Sequence, residues 1–392
     1  MTLTQALIAD IAPRYVSIRQ SIHQHPELGF EEQRTSQLVA ELLNVFGYEV
    51  TDGVGGTGVV ASLRRGTSSR SIGIRADMDA LPIEEAPGRE YCSVNTGKMH
   101  ACGHDGHTAT LLCAAQYIAE NSEFDGTVHL IFQPAEELLS GARRMIEDGL
   151  FERFPCDAVF AMHNAPGLPV GKAVCIEGPL TASSDVATLR IKGEGGHGAM
   201  PQLARDPALA AAAVVVALQS IVARNVSPDE TAVVSVGAIH CGEGFNVIPD
   251  SALVKLNIRA CTPTVRELVE RRIHEVTMGV CAAHGVSVEI EYERLIGVLV
   301  NHPEPTREAR RILTQLLGEE NVITQKPKGG LGSEDFATMA EARPGCYVAL
   351  GNGIGSFGGC TVHNPGYDFN DEIIPIGATF WAALVEDLLR PA

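Results

Sequence analysis

Apolar residues recur at helical spacing near 3–22 and 33–46, and two short apolar runs, GVVASL (58–63) and SIGIRA (71–76), follow with the length of buried strands. A helix is expected at about 106–120, then the strand TVHLIF (127–132), a helix near 140–149 and the strand AVFAM (158–162). Strand and helix alternate, which predicts an α/β domain around a largely parallel sheet.

From about residue 185 the pattern changes to strand VATLRIK, helix 206–223, strands TAVVSVGAI and ALVKLNIRA, helix 264–284 and strand VSVEIEY. That β-α-β-β-α-β order is the split βαβ, or ferredoxin-like, arrangement, which forms a compact module of its own. The α/β pattern then resumes with helix 305–317, strand CYVAL (346–350) and helix 374–389. The expected architecture is one discontinuous α/β domain, residues 1–184 and 295–392, carrying an inserted ferredoxin-like domain over 185–294.

Composition narrows the choice of partners. A chain of 392 residues suits two domains, and its net charge of -18, with no run of Lys and Arg, would repel a phosphate backbone, which argues against nucleic acid. The longest apolar run, ALAAAAVVVAL at 208–218, falls short of the roughly 20 residues that span a bilayer and is read as a buried helix, so no membrane partner is expected. MTLTQALIADIAPR lacks a basic stretch followed by an apolar one, so secretion is not indicated. Ten cysteines occur without CxxC pairs, which fits free thiols in a reducing cytoplasm.

Ligands of open α/β sheets sit at the carboxyl ends of the strands. Asp77 and Asp79 follow SIGIRA, Pro134-Ala135-Glu136-Glu137 follows TVHLIFQ, and His163 follows AVFAM. MHACGHDGHTAT (99–110) places Cys102 and His104 in a loop before a helix, and His363 lies in the loop of TVHNPGYDFND. Thiolate, imidazole and carboxylate thus gather at one edge of one domain, a donor set that suits zinc or another late first-row divalent ion. Of two adjacent glutamates, one can ligate while its neighbour faces the water to be activated. Taken singly, each of these residues is as well explained by packing, capping or a solvated face, and their joint placement carries the metal reading. His107, on the following helix, is read as a packing residue. Cys102 as a nucleophile ranks low beside two carboxylates. The Gly-rich GVGGTGVV (53–60) precedes its strand and lacks a Lys-Ser/Thr, so it is read as a turn.

HQHPELGFEE (23–32), RADMDALP (75–82), MHACGHDGHTA (99–109), FQPAEE (132–137), AMHN (161–164), GGHGAMP (195–201), FNVIP (245–249), GSEDF (332–336) and VHNPGYDFND (362–371) together resemble the M20 metallopeptidase superfamily. The branch they resemble is that of the amidohydrolases acting on hippurate, N-acyl amino acids and auxin conjugates. The resemblance runs from about residue 5 to 390 and implies a catalytic domain with a lid and dimerisation domain inserted in it. It implies two divalent metal ions (zinc, manganese, cobalt or nickel) held by Cys102, His104, Glu137, His163 and His363, with Cys102 bridging and Glu136 as general base toward a metal-bound water. Asp77 falls where other branches carry a ligating His, and an orienting role is expected for it.

In the inserted domain, His197 matches a histidine that reaches the partner subunit's site in related enzymes, and Asn246 and Arg259 match positions that hold the substrate carboxylate. A homodimer and a moving lid are implied. The sequence departs from the common pattern at Gln202, at Leu138-Leu139-Ser140 and at Leu256-Asn257-Ile258, none a proposed ligand. The apolar residues after the glutamate pair favour an aromatic or medium-chain acyl group. The expected reaction is hydrolysis of an N-acyl amino acid. The alternatives are a carboxypeptidase or dipeptidase of the same superfamily, or an idle small-molecule-binding relative, although no ligand or base is missing.

Overall fold

The computed structural model describes residues 2–325, 331–355 and 358–391. The chain forms two compact units, Met1–Gly178 with Val300–Pro327 and Asp335–Ala392, and Pro179–Leu299 with Lys328–Glu334. These junctions, at 178/179 and 299/300, lie a few residues outside the expected 185–294 insertion.

The larger unit is built on an eight-stranded sheet in the order Glu49–Val54, Gly58–Arg65, Gly126–Gln133, Ser71–Asp77, Ala158–Pro166, Gly345–Gly353, Ala173–Val174 and Val322–Ile323. The sheet is mixed, a correction to the largely parallel one expected. Its four central strands are mutually parallel, but Gly58–Arg65 runs antiparallel to both of its neighbours, and Ala173–Val174 runs antiparallel to Gly345–Gly353. For the first pair the reason is local: Gly53–Gly56 closes a hairpin between the first two strands, with Gly55 at φ 68 and Gly56 at φ 117, and a hairpin can only pair antiparallel. GVGGTGVV is therefore the turn expected of it. Every residue of the central strand Ser71–Asp77 is buried, as befits a strand covered on both faces. Helices Leu3–Gln24, His104–Asn121 and Ile373–Leu388 pack together, and the core of this unit includes Phe132, Phe160, Phe380 and Trp381.

The smaller unit has a four-stranded antiparallel sheet in the order Ala232–Cys241, Ser251–Ala260, Ser184–Lys192 and Ser287–Ile296. Helices Pro207–Asn225 and Pro263–Ala283 complete the ferredoxin-like order, each with Pro at its first position and a side-chain cap from Asp206 or Thr262. The apolar run at 208–218 needs correction on two counts. Its helix extends over 19 residues, long and apolar enough to cross a membrane by length and composition. It is also only partly buried: Ala210, Ala211, Val214, Leu218 and Ile221 enter the core, while Leu209 (59% exposed) and Val216 (74%) face outward. A helix whose inner stripe is fixed in a packed core is a domain helix with an apolar outer face.

Candidate metal centre

Strand register assembles the site. Asp77, the last residue of its strand, pairs with Gln133, so the turn carrying Glu136 and Glu137 leaves the sheet beside Asp77 and Asp79. On the other side Arg75 pairs with Ala161, which brings His163, two residues further on, level with Asp77. Cys102 and His104 come from the N-terminus of the helix behind. That helix begins at His104 itself, so only Cys102 lies in the preceding loop, a correction to the start expected near 106. Gly103 makes the entry possible: it sits at φ 100, and a Cβ there would fall 2.3 Å from Asn164 Oδ1 and 2.5 Å from Tyr367 Oη. His363 arrives from the C-terminal loop in the left-handed region, at φ 61, tied by its N–H to the Ala101 carbonyl at 2.7 Å.

The five expected ligands and the expected base converge within this one unit. Cys102 Sγ lies 3.4 Å from His163 Nε2, and His363 Nε2 lies 3.2 Å from Glu137 Oε1. Donor atoms of Cys102, His104 and His163 fall within 4.8 Å of one another, as do those of Cys102, Glu137 and His363, and those of His104, Glu136 and Glu137. Cys102, His104 and Glu137 each belong to two of these overlapping groups.

These residues fit divalent ions on chemistry as well as distance. His104 Nδ1 bonds Asp79 Oδ1 at 3.1 Å and His163 Nδ1 donates to the Asn164 carbonyl at 2.7 Å, which reserves Nε2 of both rings for a ligand. His104 Nε2 is buried and makes no hydrogen bond, and the buried Glu137 Oε1 faces the His363 imidazole at 3.2 Å. A buried polar atom left without a hydrogen bond costs about 1–3 kcal/mol, and a cation beside it removes the cost.

Charge within the cluster points the same way. Burial and the neighbouring Glu137 carboxylate push the Cys102 thiol well above the ordinary thiol range, so only a cation would keep it a thiolate. Burial would also drive His104 down, but the Asp77 carboxylate raises it well above the usual imidazole range. His163 is held well below that range by burial and by the adjacent His107. Burial raises Glu137, yet His363 and His104 bring it below the ordinary carboxylate value.

Several residues have roles that the sequence did not indicate. His107 is not a packing residue: its Nδ1 lies 2.6 Å from Asp77 Oδ1 and its Nε2 lies 2.8 Å from Asn164 Oδ1, so it joins two strand ends. A buried imidazole with both nitrogens engaged looks, from helical spacing alone, like any core position. Asp77 is bonded to Arg75 at 2.6 Å and to His107, with its Oδ2 3.7 Å from His104 Nε2. Asp79 was visible at a strand end but had no assigned role, and it holds both His104 and, through the Glu137 N–H at 2.9 Å, the glutamate turn.

The expected substrate residues lie in the smaller unit and do not form one group. His197 and Val247 pair in a short two-stranded ribbon, and the Gly198 N–H donates to the Asn246 carbonyl at 2.9 Å, so exposed His197 and Asn246 are neighbours. Arg259 lies near the other end of its strand, eight residues beyond Ser251, half-buried and bonded to Asn257 and Ser333. Within one chain Asn246 therefore neighbours His197 and not Arg259, because the ribbon leaves the opposite end of the strand that carries Arg259. Leu138 is exposed directly after Glu137, while Leu256 and Ile258 are buried in the core of the smaller unit.

The model of peptidase family M20/M25/M40 matches residues 73–387. Hippurate hydrolase of Campylobacter jejuni is 43% identical over 384 residues, covering 98% of this chain and 98% of that protein. Thermostable carboxypeptidase 2 of Saccharolobus solfataricus is 36% identical over 384 residues, covering 96% of each. The crystal structure of the YXEP protein of Bacillus subtilis, a dinuclear metal-binding peptidase of the M20 family, superposes with a TM-score of 0.84 at 32% identity, covering 98% of this chain and 100% of that one. With a family model over most of its length and relatives matched end to end, this chain belongs to peptidase family M20/M25/M40 and is a metal-dependent amidohydrolase.

Proposed function

We propose that the protein hydrolyses the amide bond of N-acyl amino acids of the hippurate type, releasing a carboxylic acid and a free amino acid. The observation that carries this reading is Glu136 beside the ligand cluster, with a donor atom within 4.8 Å of those of His104 and Glu137. The 43% identity to a hippurate hydrolase supports the substrate class.

Two divalent ions, zinc, manganese, cobalt or nickel, held by Cys102, His104, Glu137, His163 and His363 would polarise the amide carbonyl and lower the pKa of an attacking water. Glu136, steadied by the Asp335 N–H at 3.3 Å from its Oε1, accepts the proton of that water and delivers it to the departing nitrogen. Asp79 and Asp77 keep the imidazoles turned toward the centre. Arg259 pairs with the free carboxylate of the substrate, a charge-assisted contact that an unblocked amine would not supply. His197 and Asn246, exposed on their ribbon, serve the partner subunit's substrate in a homodimer formed through the smaller unit. The apolar outer face of helix Pro207–Asn225 supports that assembly. Ten free cysteines support a reducing, cytoplasmic location.

The test is hydrolysis of N-benzoylglycine by protein loaded with each of these ions, before and after chelation. Activity that survives complete metal removal would contradict the reading. The similarity to a carboxypeptidase favours a second reading, cleavage of peptides from their C-terminus. Comparing N-benzoylglycine with unblocked dipeptides separates the two.

A further inference from the structure

HPELGFEE (25–32) supplies no ligand, yet it touches both loops that build the centre. Glu27 accepts the N–H groups of Arg34 and Thr35, each at 2.9 Å, which pins the segment to the start of helix Gln33–Val45. Its carbonyl accepts the N–H of Ala80 at 2.8 Å, next to Asp79. Glu32, fully buried, reaches the other loop: its Oε1 accepts the Ala135 N–H at 2.8 Å, and its Oε2 accepts the Thr57 hydroxyl.

Ala135 immediately precedes Glu136, is itself fully buried, and lies in the left-handed region at φ 50. L side chains rarely adopt that conformation, which persists only where the surroundings impose it. On the far side the turn closes through its own backbone, Leu139 N–H to the Glu136 carbonyl at 2.7 Å and Gly141 N–H to the Ala135 carbonyl at 3.1 Å. At its entry, Glu32 is the acceptor for the Ala135 N–H.

We propose that Glu32 is a positioning residue for the Glu136–Glu137 pair, its buried carboxylate holding the strained Ala135 turn that aims both side chains at the metal ligands. Without that acceptor the Ala135 N–H is buried and unsatisfied, and the turn relaxes toward right-handed geometry. Both carboxylates then move. The role needs an oxygen, not a charge: burial pushes Glu32 up to about 7, and the neutral acid still presents a carbonyl oxygen.

The kinetic consequence rests on the proposed amide hydrolysis, so the test pairs kinetics with a readout that does not depend on turnover. Full-length wild type, Glu32→Gln, Glu32→Ala and the double variant Glu32→Ala/Ala135→Gly are titrated with Co(II), followed by its visible absorption, and assayed on N-benzoylglycine. Glu32→Ala is expected to lower kcat about 100-fold with KM changed less than about threefold, the size of effect that a misplaced group of about 1 Å produces. Its Co(II) affinity is expected to fall about tenfold with an altered spectrum, the lower end for a lost orienting contact. Glu32→Gln keeps the acceptor and stays within about fivefold of wild type in both. Ala135→Gly, which removes the penalty of positive φ, restores about tenfold of the lost kcat.

Wild-type kcat and Co(II) affinity in Glu32→Ala, or a Glu32→Gln as impaired as Glu32→Ala, would overturn the proposal. If wild type leaves N-benzoylglycine intact, the substrate reading fails and the Co(II) titration alone decides Glu32. Should Glu32→Ala not fold, Glu32→Asp, whose side chain is one methylene shorter and draws the acceptor away from the Ala135 N–H, is expected to show the same split at a few-fold scale. Its failure to do so would overturn the proposal equally.

Discussion

Asp79 Oδ1 lies 3.1 Å from His104 Nδ1 while its Oδ2 accepts the Glu137 N–H at 2.9 Å, so a single carboxylate sets the ring of one proposed ligand and the backbone of another. Asp79→Ala is expected to weaken metal binding about 10- to 100-fold, and Asp79→Asn less, because the amide oxygen still accepts one of the two bonds. Metal per chain after gel filtration and a competitive chelator titration measure both effects. Unchanged affinity in Asp79→Ala would remove Asp79 from the site.

Gly103→Ala tests the helix entry. An added Cβ meets Asn164 and Tyr367 well inside contact distance, at a backbone φ of 100. Overpacking and the left-handed penalty together predict a loss of roughly 3 kcal/mol or more. Urea unfolding at constant m-value reads the change, and a loss below about 1 kcal/mol would show that the entry is not as tight as described.

His23 and Asp105 set a pH window for stability. Burial alone would push His23 down, but Asp105 at 2.9 Å from Nδ1 and Glu85 at 3.1 Å from Nε2 outweigh it and raise the ring from 6.5 to about 9. A group raised on folding contributes fully below its unfolded value and loses that contribution as pH rises through the folded one. Stability should therefore fall from pH 6.5 to 9, by about 3 kcal/mol from this group. Asp105 runs the other way, held well below the carboxylate range by His23, so its contribution is lost as pH falls into acid. Denaturation midpoints across this range should show both limbs. His23→Gln should abolish the alkaline one, and an unchanged alkaline limb in that variant would assign it to other groups.

The outer face of helix Pro207–Asn225 yields an assembly prediction. Leu209 and Val216, seven residues apart, lie on one side of the helix and are both exposed. Leu209→Asp with Val216→Asp should convert the proposed dimer into a folded monomer, read as mass by sedimentation equilibrium with circular dichroism unchanged. A wild type that is monomeric at micromolar concentration would contradict assembly through this face.

Most of the larger elements were legible because their hydrophobic periods are clean, as in the fully buried Ser71–Asp77 or the half-buried Ser251–Ala260. The antiparallel edge was not, because pairing direction is decided by the Gly55–Gly56 hairpin and not by the composition of the strands it joins. The proposed ligands could be read as chemically distinctive residues, Glu137 and His163 after strands and Cys102, His104 and His363 in or beside loops. His107, Asp79 and Glu32 could not, since their roles depend on hydrogen bonds to residues 25 or more positions away in the chain. The exposed face of helix Pro207–Asn225 was hidden for the opposite reason: an all-apolar run has no polar face to mark which side the core takes.

Glu136→Gln, assayed on N-benzoylglycine with its metal content measured on the same sample, tests the proposed chemistry most directly. The variant should bind metal as wild type does, since Glu137 and the other ligands are untouched, while kcat falls about 10²- to 10⁴-fold, the usual range for a lost general base. A Glu136→Gln protein that carries its metal and hydrolyses N-benzoylglycine at the wild-type rate would contradict it.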